Sequence, residues 1–164
     1  MPSGRTHTTV DLILLLSMLI ALLHWHGVVI SYLGSRERFT TCVVGFCLAY
    51  LFSMFFLSPD LDLDRCRARS NWGILGIFWY PYSKIFRHRG ISHSIIFGMV
   101  TRILYLILMV MLLQFGLRRF LGIDIGVSVT DLSHGRPPDF YLVGSIAAGL
   151  YIPDLMHIIL DRFV

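Results

Sequence analysis

Four long apolar runs divide the chain, at 10–33, 40–57, 94–117 and 140–160. Each is close to the about 20 residues that a helix needs to cross a bilayer. The second run stops at Ser58-Pro59, where proline, lacking an N–H and clashing with the preceding turn, ends a helix. Between the second and third runs, residues 60–93 carry six basic side chains (Arg65, Arg67, Arg69, Lys84, Arg87, Arg89) and an aromatic stretch from Trp72 to Tyr82. Trp79, Tyr80 and Tyr82 suit the headgroup region, where amphipathic rings settle. Residues 74–80 read as a short interfacial or re-entrant helix, too short to span. The pattern predicts an all-α fold in one domain over 1–164. It is an integral membrane bundle of about four transmembrane helices, with a short interfacial helix in the central loop.

Threading four spans through a bilayer puts the N-terminus, the central segment and the C-terminus on one face. Seven ionisable residues then gather there from distant parts of the sequence: His7, Asp60, Asp62, His88, His93, His157 and Asp161. A bilayer penalises stray carboxylates and imidazoles, so such residues at membrane depth are functional candidates. His157 and Asp161, four apart, share a helix face, and Asp154 points the same way. Imidazole nitrogen with carboxylate oxygen suits zinc, manganese or iron(II). The set is large enough for one or two divalent ions per chain, and a two-metal site clamps the oxygens of a phosphoryl group. Singly, each residue has a plainer reading. Asp60, Asp62 and Asp64 read as solvated loop charges, His88 as a basic surface residue beside Arg87 and Arg89, and His157 with Asp161 as a structural pair. Their common face favours the metal.

Composition sharpens this picture. The chain is 55% hydrophobic and 15% charged, with mean hydropathy +0.71, against about 25% charged for soluble domains. The net charge is +4. There is no nucleic-acid motif, and the basic residues flank apolar runs as they do in membrane proteins. The face bearing the candidate ligands holds eight Lys and Arg (Arg5, Arg65, Arg67, Arg69, Lys84, Arg87, Arg89, Arg162), against five opposite (Arg36, Arg38, Arg118, Arg119, Arg136). The positive-inside rule places both termini in the cytoplasm and the protein in the cytoplasmic membrane. Cys42, Cys47 and Cys66 are odd in number and form no CxxC pair, so they read as reduced, ordinary residues. The first run lacks a small-residue cleavage site and is longer than a signal-peptide core, so it reads as a retained helix.

Several stretches carry a family resemblance: MPSGRTH, SPDLDLD, NWG followed by WYPYSKIFRHRGISHS, and the G-x3-R-x2-Y of Gly98, Arg102 and Tyr105. Together they resemble, across essentially the whole chain, the short multi-pass membrane proteins described as uncharacterised metal-binding proteins. The order PDxD, HRGxSHS, HxxxD also resembles the YdjM-like membrane-bound metal-dependent hydrolases. Those are grouped more distantly with the all-helical zinc phospholipase C and P1 nuclease fold. The resemblance implies metal ligation by His7, Asp60, Asp62, His88, His93, His157 and Asp161, with zinc the first choice of ion. Asp64 and Asp154 fall outside the shared pattern.

The expected activity is therefore metal-dependent hydrolysis of a phosphoester on a lipid or lipid-linked substrate. Arg89 would engage the phosphate, since guanidinium groups bind phosphate bidentately; the plainer reading is attraction of a polybasic loop to anionic lipid. Asp64 or Asp154 would be the general base. Ser92 and Ser94 read as capping or supporting hydroxyls. The alternative is a non-catalytic metal-binding membrane protein in metal handling or complex assembly. The nearly bare middle of the spans argues against transport. Arg102 is the exception there, and Asp11, near the same end of the first helix, is one candidate counter-ion. His24, His26 and His134 approach the opposite face, as interfacial residues or a second, weaker metal site.

Overall fold

A computed structural model describes residues 4–63, 66–86, 94, 97–123 and 139–163. Among these, every regular element is helical. Helices α1 (Gly4–His24) and α2 (His26–Leu33) occupy the first apolar run. They are one helix with a flaw at Trp25: its N–H still donates to the Ala21 carbonyl (3.0 Å), and its carbonyl accepts from the Val29 N–H (3.1 Å). The helix starts earlier than hydropathy predicts, because Thr6 to Thr9 are polar yet helical. Ser35 caps α3 (Arg36–Phe56) by accepting from the Arg38 N–H at 3.1 Å, the usual way a first-turn donor is satisfied. A 3-10 turn (Pro59–Asp62) follows.

The central segment folds as α4 (Arg67–Asn71), a 3-10 stretch (Gly73–Trp79) and α5 (Tyr80–Ile85). A short helical element does stand where 74–80 was expected to form one. Then come α6 (Phe97–Gly116), a π-helical turn (Leu117–Leu121) closed by Gly122, and α7 (Phe140–Phe163). Four of the helices are long and apolar enough to cross a membrane: Thr6–His24, Arg36–Asp62, Phe97–Leu121 and Phe140–Arg162. Their outward faces carry Ile13, Leu16, Leu48, Leu104, Leu112 and Phe140, all exposed. That is far more contiguous apolar surface than a water-soluble monomer shows.

Helices α3 and α7 form the main packed pair. Their closest approach is at Gly149, where a Cβ would lie 2.4 Å from the Phe46 carbonyl oxygen and 3.0 Å from the Ala49 Cβ. Small residues allow such contact between helices that gain little from hydrophobic burial in lipid. Just beyond, Pro153 interrupts the α7 hydrogen-bond ladder. The Ser53 hydroxyl donates to the Leu150 carbonyl there, at 2.7 Å. Helix α1 joins this pair through Leu15, packed with Phe46 and Tyr50, and through the Tyr50 hydroxyl, which donates to the Asp11 carbonyl at 2.9 Å.

The end of α3 is finished by the central segment. The last carbonyls of a helix have no partner within it. Here the Asn71 amide donates to the Phe55 carbonyl and the Trp72 indole N–H to the Phe56 carbonyl, both at 2.9 Å. Arg102 Nη1 donates to the Leu57 carbonyl at 2.9 Å. Below them, Leu57, Leu61, Ala68, Trp79 and Tyr82 form a second core. The Trp79 ring lies 5.5 Å from Trp72 and 5.4 Å from Tyr105.

Arg102 corrects one expectation. It is fully buried, and its carboxylate partner is Asp154 on α7, not Asp11. Its Nε also donates to the Gly98 carbonyl at 3.0 Å. Helical rise separates Asp11 and Arg102 along different helices, and depth alone could not say which of two carboxylates faced the arginine.

Two outcomes follow. Gly149→Val should lower stability by about 1–3 kcal/mol, because the overpacked pair has backbone on the other side; thermal unfolding in detergent measures it. Arg102→Met should cost about 3–5 kcal/mol by leaving Asp154 uncompensated, and Arg102→Met with Asp154→Leu should recover most of that loss. A double variant as unstable as the single would contradict the pairing.

Candidate metal centre

The up-and-down course of the long helices brings the start of α1, the end of α7 and the turn after α3 together. His7 and His157 are both buried, and their rings stack with centroids 4.0 Å apart and 19° between planes. His7 Nε2 lies 3.3 Å from Asp161 Oδ1. His157 Nε2 lies 3.4 Å from Asp60 Oδ2 and 3.6 Å from Asp161 Oδ2. One ligand atom each from His7, His157 and Asp161 lie within 4.8 Å of one another. Local structure explains the convergence. His157 and Asp161 are one turn apart on α7 and share its face. Asp60 is held in the 3-10 turn, whose Ser58 side chain accepts from the Asp60 N–H at 3.4 Å.

The chemistry of this cluster fits a divalent cation. His157 Nε2 stands near two carboxylates without forming a hydrogen bond to either, and His7 Nδ1 is also buried without one. Two stacked imidazoles against two carboxylates leave lone pairs and acceptor oxygens that one shared cation would join. Donor atoms around a tetrahedral ion at about 2.0–2.1 Å stand roughly 3.3–3.5 Å apart. The pairwise separations of 3.3, 3.4 and 3.6 Å, two of them to different oxygens of Asp161, lie close to that value. Beside the cluster is a cavity of about 40 Å³, bordered by His7, Asp11, Asp60, Arg67, Asn71 and His157. It is large enough to admit a water molecule.

The expected ligands divide as follows. His7, Asp60, His157 and Asp161 meet. Asp62 is buried in the same turn as Asp60 but does not join the His7–His157–Asp161 trio. A 3-10 helix has three residues per turn, so positions two apart face different ways. His88, His93, Arg89 and Asp64 lie outside the described residues. Asp154, one turn before His157, is taken up on one oxygen by Arg102. Cys66 is half-buried and caps α4 through its sulfur, which accepts from the Arg69 N–H at 3.3 Å; burial pushes its thiol pKa up, away from thiolate ligation. His24 and His26 are exposed at the far end of α1, and His26 Nδ1 bonds the Leu23 carbonyl at 2.8 Å.

Sequence reasoning missed two residues on the cavity. Arg67 was counted only as part of a basic segment, and Asp11 was assigned to Arg102. A signal for Asp11 was present: His7-x3-Asp11 on α1 repeats the spacing of His157-x3-Asp161 on α7.

Fold and site together define an all-helical protein whose long apolar helices end in a buried histidine–carboxylate cluster suited to a metal. The profile of the DUF2227 family, described as "Uncharacterized metal-binding protein", matches residues 2–164, and the chain belongs to that family. A protein of Aquifex aeolicus named "Uncharacterized protein" is 31% identical over 129 residues, covering 72% of this chain and 88% of the relative. No solved structure matches.

X-ray absorption of the zinc-loaded protein should show only nitrogen and oxygen neighbours, at about 2.0–2.1 Å. A sulfur shell at about 2.3 Å would mean that a cysteine binds the ion and that this cluster is not the site.

Proposed function

We propose that the protein is a membrane-embedded, metal-dependent hydrolase acting on a phosphoester of a lipid or lipid-linked substrate. The observation that carries this reading is the His7–His157–Asp161 trio, its two histidines buried, beside a cavity with room for water, in a chain of four long apolar helices. Such a placement reaches a substrate at headgroup depth. His7, His157 and Asp161, with Asp60, would hold the cation, and the expected set adds Asp62, His88 and His93. The donor chemistry favours zinc, with manganese or iron as alternatives. When bound, the cation lowers the pKa of water and polarises a phosphoryl oxygen.

The chain's own residues supply the rest. Arg67 borders the cavity, where its guanidinium would neutralise phosphate oxygens, and Arg89 would share that task. Asp154 is a weak choice for the general base, because Arg102 already stabilises its charge; Asp64 remains in that role. The resemblance to the YdjM-like hydrolases supports the reaction class. The excess of basic residues on the site-bearing face supports a cytoplasmic location for that face and both termini.

A second reading has its own support. Asp60 stands 3.4 Å from His157, so four protein donors would complete a tetrahedral shell, as in structural sites. The protein would then bind metal without turnover, in metal handling or complex assembly.

Phosphate release from lipid phosphomonoesters and lipid diphosphates separates the two readings. The hydrolase predicts metal-dependent release from protein in lipid nanodiscs. It predicts a fall of at least about 100-fold in Asp161→Asn, and a smaller loss, expressed mainly in KM, in Arg67→Ala. Protein that keeps stoichiometric metal and releases no phosphate from any of these substrates would establish the non-catalytic reading.

A further inference from the structure

Behind the trio lies a second, smaller cavity of about 10 Å³. Its polar border is Asp11, Ser53, Ser58, Asp154 and His157. Asp11 is only 4% exposed, and its Oδ1 has no hydrogen-bond partner. His157 is 6% exposed, and its Nε2 has none either. Of the two carboxylates here, Asp154 is compensated by Arg102. Among the described residues, no lysine or arginine borders the cavity, so the basic side chain that Asp11 meets there is His157, which the outer cluster also uses. A buried carboxylate in that position is costly unless it is paired, coordinates a metal or takes up a proton.

The chemistry around Asp11 differs from that of the outer cluster. Outside, two imidazoles and carboxylates form a borderline-soft site. Inside, two carboxylates and two hydroxyls offer hard oxygen donors of the kind that magnesium and manganese prefer. The space admits one occupant of water size or smaller. The repeated H-x3-D spacing places the two sites one helix turn apart: His7 and Asp161 at the outer level, Asp11 and His157 at the inner.

We propose that Asp11 anchors a second cation site, selective for a hard divalent ion of the magnesium or manganese kind, in the cavity it shares with Ser53, Ser58 and Asp154. The site rests on the reading of the outer cluster as a metal centre. It would place a hard cation one helix turn from that centre. Asp11 does not join the outer trio's ligand atoms, so its loss leaves the outer ion in place.

The test uses the full chain in detergent, stripped with chelator and reloaded with one equivalent of zinc. Manganese(II) is then titrated in, and the free ion is followed by electron paramagnetic resonance. The parent should take up one equivalent of manganese without releasing zinc. Asp11→Asn should keep its zinc and lose manganese affinity by more than about 10-fold. Ser58→Ala removes a hydroxyl from the cavity together with the long 3.4 Å bond from the Asp60 N–H; it should weaken manganese less while zinc stays bound, and it serves if Asp11→Asn does not fold. A zinc-loaded parent that takes up no manganese overturns the second site and leaves the outer one standing. Equal manganese binding by the parent and Asp11→Asn overturns it as well. A parent that binds neither ion overturns the outer centre too.

Discussion

The unpartnered carbonyls at the end of α3 are the constraint from which the rest of the structure follows. Phe55, Phe56 and Leu57 end the helix with carbonyls that have no partner inside it. Asn71, Trp72 and Arg102 supply the donors. The first two require the central segment to fold back under α3, which creates the aromatic core around Trp79 and Tyr82. The third requires a guanidinium buried at the same depth, and that charge in turn requires Asp154. Since Asp154 lies one turn before His157, the arginine fixes the register of α7 and thus the level of His157 and Asp161. A carbonyl-capping problem at one helix end thereby positions His157 and Asp161 on another helix.

The close pairing of α3 with α7 does the same for Asp60. Gly149 lets the helices touch at backbone distance, and Ser53 bridges them at the proline break. The turn carrying Asp60 starts a few residues later, so its carboxylate arrives 3.4 Å from His157. The broad outward face of α6, by contrast, buries little beyond Gly98 and Arg102. This helix appears in the site's support through its one arginine.

Much of this was legible in the sequence. Apolar run length marked all four long helices, because a span imposes a length on its own composition. The up-and-down threading then placed His7, Asp60, His157 and Asp161 at one end without any contact information. Three things were hidden. Hydropathy missed the start of α1, since residues 6–9 are polar, with His7 and Thr8 bordering the site. It could not choose between Asp11 and Asp154 as the partner of Arg102, because that choice depends on helix rotation and lateral packing. It also gave no separate faces to Asp60 and Asp62, because a 3-10 turn is not visible in an acidic, leucine-rich run.

The central claim is that the ends of α1 and α7 hold a metal between His7 and His157. Elemental analysis of the detergent-purified parent beside a His7→Ala/His157→Ala double variant tests it most directly, with circular dichroism to confirm that both stay helical. The account predicts at least one equivalent of transition metal in the parent and essentially none in the variant. Equal metal in both, or a carefully handled parent that neither carries nor takes up metal, would contradict it.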